Sequence, residues 1–425
     1  MALLIDGQVA DDQIIIESKV RETFLPFALP DVGDEEIAEV VASLKSGWIT
    51  TGPKVKQFET DLARYVGASH AVAVNSCTAG LHLSLIAAGV GPDDEVILST
   101  VTFCSAANVI VHMGAKPILI DIGPDFNIQP ETIRNAITSR TKAIMPVHFA
   151  SQPCDLDEIY QIAHEHDLAI IEDAAHAIGS AYHGMMIGSD ALQKAYPNLR
   201  RTTVFSFYAT KNMTTGEGGM VTTNSESIAA EIRLLALHGM SKDAWKRYTS
   251  AGSWYYEVVA PGYKYNMTDT QAALGIHQLQ RLDRFSETRQ HQAQLYNEAF
   301  SKMPEIETPL LHSDRSHIYH LYVLRLNLEQ LTIDRAEFIE LLKEKNIGAS
   351  VHFIPVHTHP YYCETYGYQT GDLPVAESIY ERIVSIPLYP KMTDEDVKDV
   401  ISAIREVLTM HRSTIALRHP QGSVA

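Results

Sequence analysis

The period of the apolar positions changes several times along the chain. Ile37, Val40, Val41 and Leu44 recur at i, i+3, i+4 and i+7, which predicts an amphipathic helix over 34–46, capped by Asp34 and stopped by Gly47. Short apolar runs rich in β-branched residues predict seven strands, at 71–75, 95–98, 117–121, 143–148, 168–173, 204–208 and 220–223. Helical stretches fall between most of them. One opens at 76–79 and carries Leu81, Leu83, Leu85 and Ile86; another covers 155–166. Strands alternating with helices imply a mostly parallel sheet covered on both faces.

A long helical region follows Thr268, and after Thr308 the texture shifts. Period-2 apolar residues predict a strand at 320–326, an amphipathic helix follows at 334–345, and a second strand is expected at 350–353. Val397, Val400, Ile401, Ile404 and Leu408 stripe a last helix over 393–409. The expected fold class is α/β: a large unit over 23–275, then a linking long helix and a smaller α+β unit over 276–411. Residues 1–22 and 412–425 read as tails.

Composition narrows the classes of function. The 425 residues carry a net charge of −18, which argues against nucleic acid as a partner because phosphate backbones need basic patches. Cys77, Cys104, Cys154 and Cys363 have neither metal-ligand spacing nor the density of a disulfide framework, so a reducing cytoplasm is expected. No apolar stretch is long enough to span a membrane, and the N-terminus lacks a signal-peptide pattern.

Lys211 is the residue whose surroundings say most. It follows the aromatic strand ending at Tyr208 and precedes a Gly-Glu-Gly-Gly turn at 216–219, where the backbone bends tightly or approaches a ligand. A desolvated lysine amine forms a Schiff base with an aldehyde cofactor, and such a cofactor needs a carboxylate to hold its pyridine nitrogen protonated. Asp173 stands at the carboxyl end of the strand over 168–173, where open α/β sheets place their ligands. Alone it could equally cap the following loop; paired with Lys211 it fits the ligand role.

Other segments leave alternatives open. Ser76 and Thr78, at a strand-to-helix turn, either bind an anion or simply cap the helix. Phe103, just past a strand end, either stacks on a planar ligand or packs in the core. His176 is a core histidine or an active-site one three residues past Asp173. Asn266, before the long helix, donates to an anion or holds a turn. His352, His357 and His359 cluster around two prolines without a cysteine or paired carboxylate, which favours a polar wall of a substrate pocket over a metal site.

Six segments in order resemble the DegT/StrS-type nucleotide-sugar aminotransferases, pyridoxal-phosphate (PLP) enzymes of fold type I. They are Gly-Trp-Ile-Thr-Thr-Gly-Pro at 47–53, Asn-Ser-Cys-Thr-Ala-Gly at 75–80, Glu-Asp-Ala-Ala-His at 172–176, Ser-Phe-Tyr-Ala-Thr-Lys at 206–211, Gly-Glu-Gly-Gly at 216–219 and Gly-Tyr-Lys-Tyr-Asn-Met-Thr-Asp at 262–269. The similarity runs from about residue 24 to 409.

That resemblance implies PLP held by Lys211 as an imine, with Asp173 on the pyridinium nitrogen, His176 near the ring hydroxyl and Phe103 on the ring face. Thr78, Ala79 and Ser206 would hold the phosphate, Cys77 belongs to the same cofactor-binding set, and an asparagine matching Asn266 reaches the phosphate from the neighbouring subunit in relatives, so a homodimer is expected. Substrate contacts are expected at Thr50, Lys264, His352 and His357. The activity implied is transfer of an amino group from glutamate to a nucleotide-linked keto-sugar, a 4-keto sugar by overall pattern. A 3-keto sugar, a dehydratase reaction or a non-catalytic regulator are the alternatives. Relatives that act as dehydratases carry histidine in place of the lysine, so Lys211 favours aminotransfer. Cys77 and Ser151 stand where many relatives have glycine, and the stretch 190–201, ending in two arginines, is longer than usual. It shapes the pocket entrance or forms a surface loop.

Overall fold

The computed structural model describes residues 20–240 and 255–413. The expected tails therefore lie outside the described residues, apart from 20–22 and 412–413. The central feature is a seven-stranded sheet built from β1 (His70–Val74), β2 (Glu95–Ser99), β3 (Lys116–Ile120), β4 (Thr141–Met145), β5 (Ala169–Asp173), β6 (Arg201–Ser206) and β7 (Gly219–Thr223), in spatial order β1-β7-β6-β5-β4-β2-β3. Only β7 runs antiparallel to its neighbours. All seven strands fall where the apolar runs predict them, with ends shifted by a few residues.

Alternation along the strands explains why both faces are covered. Ile97, Ile144, Ile170, Phe205 and Met220 point into one core with Phe58, Leu62 and Ile276, while Val96, Leu98, Ile171, Val204 and Val221 join Leu81, Leu83 and Leu85 in the other. Phe58 and Leu62 come from α2 (Pro53–Val66), and Leu81, Leu83 and Leu85 from α3 (Cys77–Ala87), a helix apolar on nearly every side and buried from Ala79 to Leu85.

The long helix Asp269–Phe300 contributes to two hydrophobic cores. Thr268 and Gln271 form a capping box at its start. Its far end supplies Ala293, Tyr296 and Phe300 to a separate core with a three-stranded antiparallel sheet (Ile306–Glu307, Tyr322–Leu326, Ile383–Ile386) and the helices Arg335–Glu344 and Asp394–Met410. The strand expected at 350–353 is reduced to a single bridge, Ser350 to Ser385; its pairing partner, Ile383–Ile386, has no period-2 pattern to announce it.

Helix α1 (Asp34–Ser46) has the expected bounds but not the expected packing. Gly33, not Asp34, is its N-cap, with Glu36 reaching back to the Gly33 amide at 2.8 Å. Gly47 closes it in the left-handed region, φ 81°. The buried side chains are Glu36 and Ser43, because Glu36 pairs with Arg281 and Gln278 of the long helix. The apolar stripe faces outward: Ile37, Val41 and Leu44 are all exposed.

Candidate active site

The carboxyl ends of β5 and β6 and the start of α3 surround a cavity of about 470 Å³. Its walls include Ser76, Cys77, Thr78, Phe103, Asp173, His176, Ser206, Lys211 and His352, nine of the residues singled out from sequence. Sequence periodicity cannot bring together parts of the chain nearly three hundred residues apart; the parallel topology does.

Lys211 sits in a loop that is pinned at its base. Phe207 donates its amide to Gly218 and accepts from Thr215, each at 2.9 Å, and the Lys211 amide bonds the Tyr208 carbonyl at 2.9 Å. Met213 and Asn212 are buried under it. Burial lowers the Lys211 amine to about 8, with Asp173 pulling the other way. The glycine-rich turn serves this loop in two ways. Gly216 takes φ 77°, and at Gly219 a Cβ would stand 2.7 Å from the Cys77 amide nitrogen, so the turn closes against the start of α3.

Asp173 is buried at the end of β5. Its Oδ1 accepts the Ala175 amide at 3.1 Å and lies 3.9 Å from the Cys77 sulfur. No hydrogen bond among the described residues reaches Oδ2. Burial raises this carboxyl above its usual range, against the Ala175 amide and the Lys211 charge. A buried carboxylate with one open oxygen calls for a cationic partner.

At the start of α3, Ser76 caps the helix by accepting the Ala79 amide at 3.1 Å. Ala79 is thus spent on the cap and does not line the cavity, whereas Cys77 and Thr78 do. The amides of a first helical turn, with the hydroxyls of Thr78 and Ser206, make a cradle for a phosphate. Cys77 occupies the first helical position and needs no glycine-like backbone, so its departure from the family pattern costs no strain.

The histidines separate into distinct roles. His176 accepts the Ala150 amide at Nδ1, 3.3 Å, which leaves its proton on Nε2. Burial pushes it well below the usual histidine range. His352 lines the cavity, bonds Ser385 and is lowered by burial to about 4. His357 instead lies buried behind the wall, taking Thr100 at 2.7 Å and Glu377 at 3.1 Å, and is not a lining residue. Among the described residues no group of histidine, cysteine or carboxylate side chains is arranged for a metal.

Thr50, Lys264 and Asn266 also stand outside this cavity. Asn266 donates to Thr51 Oγ1 at 2.7 Å and has a buried Oδ1 without a partner. In the 190–201 stretch, Arg201 is neither at the entrance nor on a surface loop: it is the fully buried first residue of β6.

His320, Tyr208, Thr210 and Glu217 line the cavity without having been singled out. Tyr208 and Thr210 flank Lys211 in the segment already identified, and β6 stops at Ser206, which frees Tyr208 to turn into the cavity. His320 opens the period-2 run at 320–326, where it reads as strand; its ring packs 4.4 Å from that of His176 and bonds Asn212 at 3.0 Å.

A lysine of lowered basicity, a buried carboxylate with an open oxygen and a helix-start anion cradle, on a seven-stranded α/β sheet, define a PLP-dependent transaminase of fold type I. Comparison with known proteins agrees: the model of the DegT/DnrJ/EryC1/StrS aminotransferase family matches residues 30–405, and the chain belongs to that family. It is 53% identical over 390 residues to the spore coat polysaccharide biosynthesis protein SpsC of Bacillus subtilis, covering 91% of this chain and 98% of that one. Among solved structures it resembles Spr1654 of Streptococcus pneumoniae, assigned as a sugar aminotransferase. The pyridoxamine-phosphate form is 35% identical with TM-score 0.83, covering 91% of this chain and 99% of that one. The PLP form has TM-score 0.82 at 34% identity, with the same coverage. Helicobacter pylori PseC, an aminotransferase involved in pseudoaminic acid biosynthesis, is 27% identical with TM-score 0.82, covering 92% and 100%. No helix among the described residues is long and apolar enough to cross a membrane.

Proposed function

We propose that this chain transfers the amino group of glutamate to a nucleotide-linked 4-keto sugar, working as a homodimer in the cytoplasm. The observation that carries the reading is Lys211, an amine lowered to about 8 in the same cavity as the open oxygen of Asp173.

When bound, PLP supplies an electron sink that stabilises a carbanion at the carbon bearing the amine. The chain's residues do the rest. Asp173 would pair with the ring nitrogen and keep it protonated, since an adjacent anion favours the charged form. Lys211 would hold the cofactor, and its amine, when free, would move the proton as general base and acid. Thr78, Ser206 and the first amides of α3 would hold the phosphate, His176 would donate from Nε2, and Phe103 would offer a ring face. His352 and Tyr208 stand on the cavity wall as groups for a sugar. Residues 23–275 would form the cofactor-binding unit and 276–411 the linking helix and small unit.

Two observations support the dimer. The outward stripe of Ile37, Val41 and Leu44 is continued by exposed Ile49, an apolar face suited to a second copy of the chain. Thr50, Lys264 and Asn266, expected at the active site, lie outside their own cavity, which fits contribution to the partner's site. SpsC's role in coat polysaccharide formation agrees with a sugar substrate.

The substrate assignment is tested by incubating the enzyme with glutamate and a panel of 3-keto and 4-keto sugar nucleotides, then identifying amino-sugar products. Amination of 4-keto members supports the reading; amination confined to 3-keto members refutes it.

A further inference from the structure

Behind the cavity lies a polar array that the chemistry above does not use. Glu172 and Asp173 end β5, and neighbouring side chains of a strand point to opposite faces. Asp173 faces the cavity; Glu172 is wholly buried on the other side. There Oε1 accepts the Tyr160 hydroxyl at 2.5 Å and Oε2 accepts the His148 Nε2 proton at 3.2 Å. The Cys154 amide occupies His148 Nδ1 at 3.1 Å, which fixes that tautomer. The guanidinium of fully buried Arg201, on the adjacent strand β6, lies 3.6 Å from Oε1 and donates to Tyr160 at 3.1 Å and to the Ser189 carbonyl at 2.8 Å.

Burial opposes a charge on Glu172, but Arg201, His148 and Tyr160 outweigh it and hold the carboxyl below its usual range. Such a pair is a poor source of stability, because desolvating two ions costs about as much as their attraction returns. Its connections suggest another use. The His148 amide donates to the Asp173 carbonyl at 3.1 Å, and the Asp173 amide donates to Pro146 at 2.9 Å. From His148 the chain runs straight into 149–151, where the Ala150 amide bonds the His176 ring and the Ser151 hydroxyl bonds the His176 carbonyl. One histidine therefore joins the buried carboxylate to both cofactor-facing residues.

We propose that Glu172 is a positioning residue: with Arg201, Tyr160 and His148 it locks the end of β5 and the 146–151 segment, so that Asp173 and His176 keep fixed places in the cavity. This rests on the reading of Asp173 and His176 as PLP contacts.

The test compares wild-type holoenzyme with Glu172→Gln and with the charge-free pair Glu172→Leu/Arg201→Met. Three quantities are measured: the PLP dissociation constant, the pH midpoint of the bound cofactor's absorbance, and the melting temperature. Glu172→Gln is expected to weaken PLP binding by roughly 10- to 100-fold, the range for residues that orient a binding group, and to move the pH midpoint. The double variant is expected to melt near wild type yet keep both defects. Wild-type PLP affinity and pH midpoint in the double variant would overturn the proposal, leaving the array a packing element. If Glu172→Gln does not fold, Tyr160→Phe removes the two hydrogen bonds of that hydroxyl, to Glu172 and from Arg201, and leaves the ion pair, and its pH midpoint decides: a shift supports the proposal, no shift overturns it. Asp173→Asn separates the two readings. If that variant binds PLP and titrates as wild type, the assignment of Asp173 fails; if it is defective while the Glu172 variants are normal, only the present proposal fails.

Discussion

The Ser151 hydroxyl donates to the His176 carbonyl oxygen at 2.6 Å, and the Ser151 Oγ accepts the His320 amide at 2.8 Å. Ser151 holds this place at φ 87°, in the left-handed region where a side chain is strained. Glycine would relieve the strain and lose the bonds; alanine would lose the bonds and keep the strain. Ser151→Ala should therefore destabilise the protein by about 1–3 kcal/mol, the cost of orphaning buried polar groups. Ser151→Gly should cost about 1 kcal/mol less, the penalty that a Cβ incurs at such a backbone position. Denaturant midpoints check the order; a glycine variant less stable than the alanine variant would contradict it.

The Lys211 amine gives a pH signature in the cofactor-free protein. It falls from an ordinary 10.5 to about 8 on folding. Between those values the unfolded chain holds a proton that the folded protein has released, so stability rises with pH across the window. The penalty is complete below pH 8 and gone above 10.5. Lys211→Met should thus be more stable than wild type below pH 8, by at most about 3 kcal/mol, with the difference shrinking toward pH 10. An advantage independent of pH would contradict the assignment.

The outward face of α1 predicts an assembly defect. Leu44→Asp places a charge in the apolar stripe formed with Ile37 and Val41. Sedimentation should show a monomer for this variant and a dimer for wild type, with helix content unchanged. A variant that stays dimeric would move the interface elsewhere.

Asn266 makes a prediction specific to a shared site. Lys211→Ala and Asn266→Ala homodimers should each have low activity. When the two are mixed and subunits exchange, the heterodimer regains one site with both residues intact. Activity should recover to about a quarter of wild type, since half the dimers are mixed and each carries one good site of two. No recovery would place Asn266 within its own subunit's site.

Much of this was legible in the chain. The seven strands were marked by buried apolar runs, and Lys211, Asp173 and the Ser76–Thr78 turn by their places at strand ends. What could not be read depends on contacts between distant segments. The α1 stripe looks like a core face because periodicity reports that a face is apolar, not what covers it; Glu36 turned the helix by pairing with Arg281. Arg201 looks like a surface residue until β6 brings it beneath Glu172. His320 is hidden within a strand pattern, and His357, similar in sequence to His352, is taken up by Thr100 and Glu377.

The most direct measurement follows the absorbance of the PLP-loaded protein. Adding glutamate should remove the yellow band with formation of 2-oxoglutarate, and a 4-keto sugar nucleotide should restore it. In Lys211→Ala, borohydride should no longer trap the cofactor on the chain, and conversion by glutamate should fall by at least about 10²-fold, the lower end of what a positioned general base contributes. A band in wild type that glutamate leaves unchanged, or a Lys211→Ala variant that turns over normally, would contradict the account.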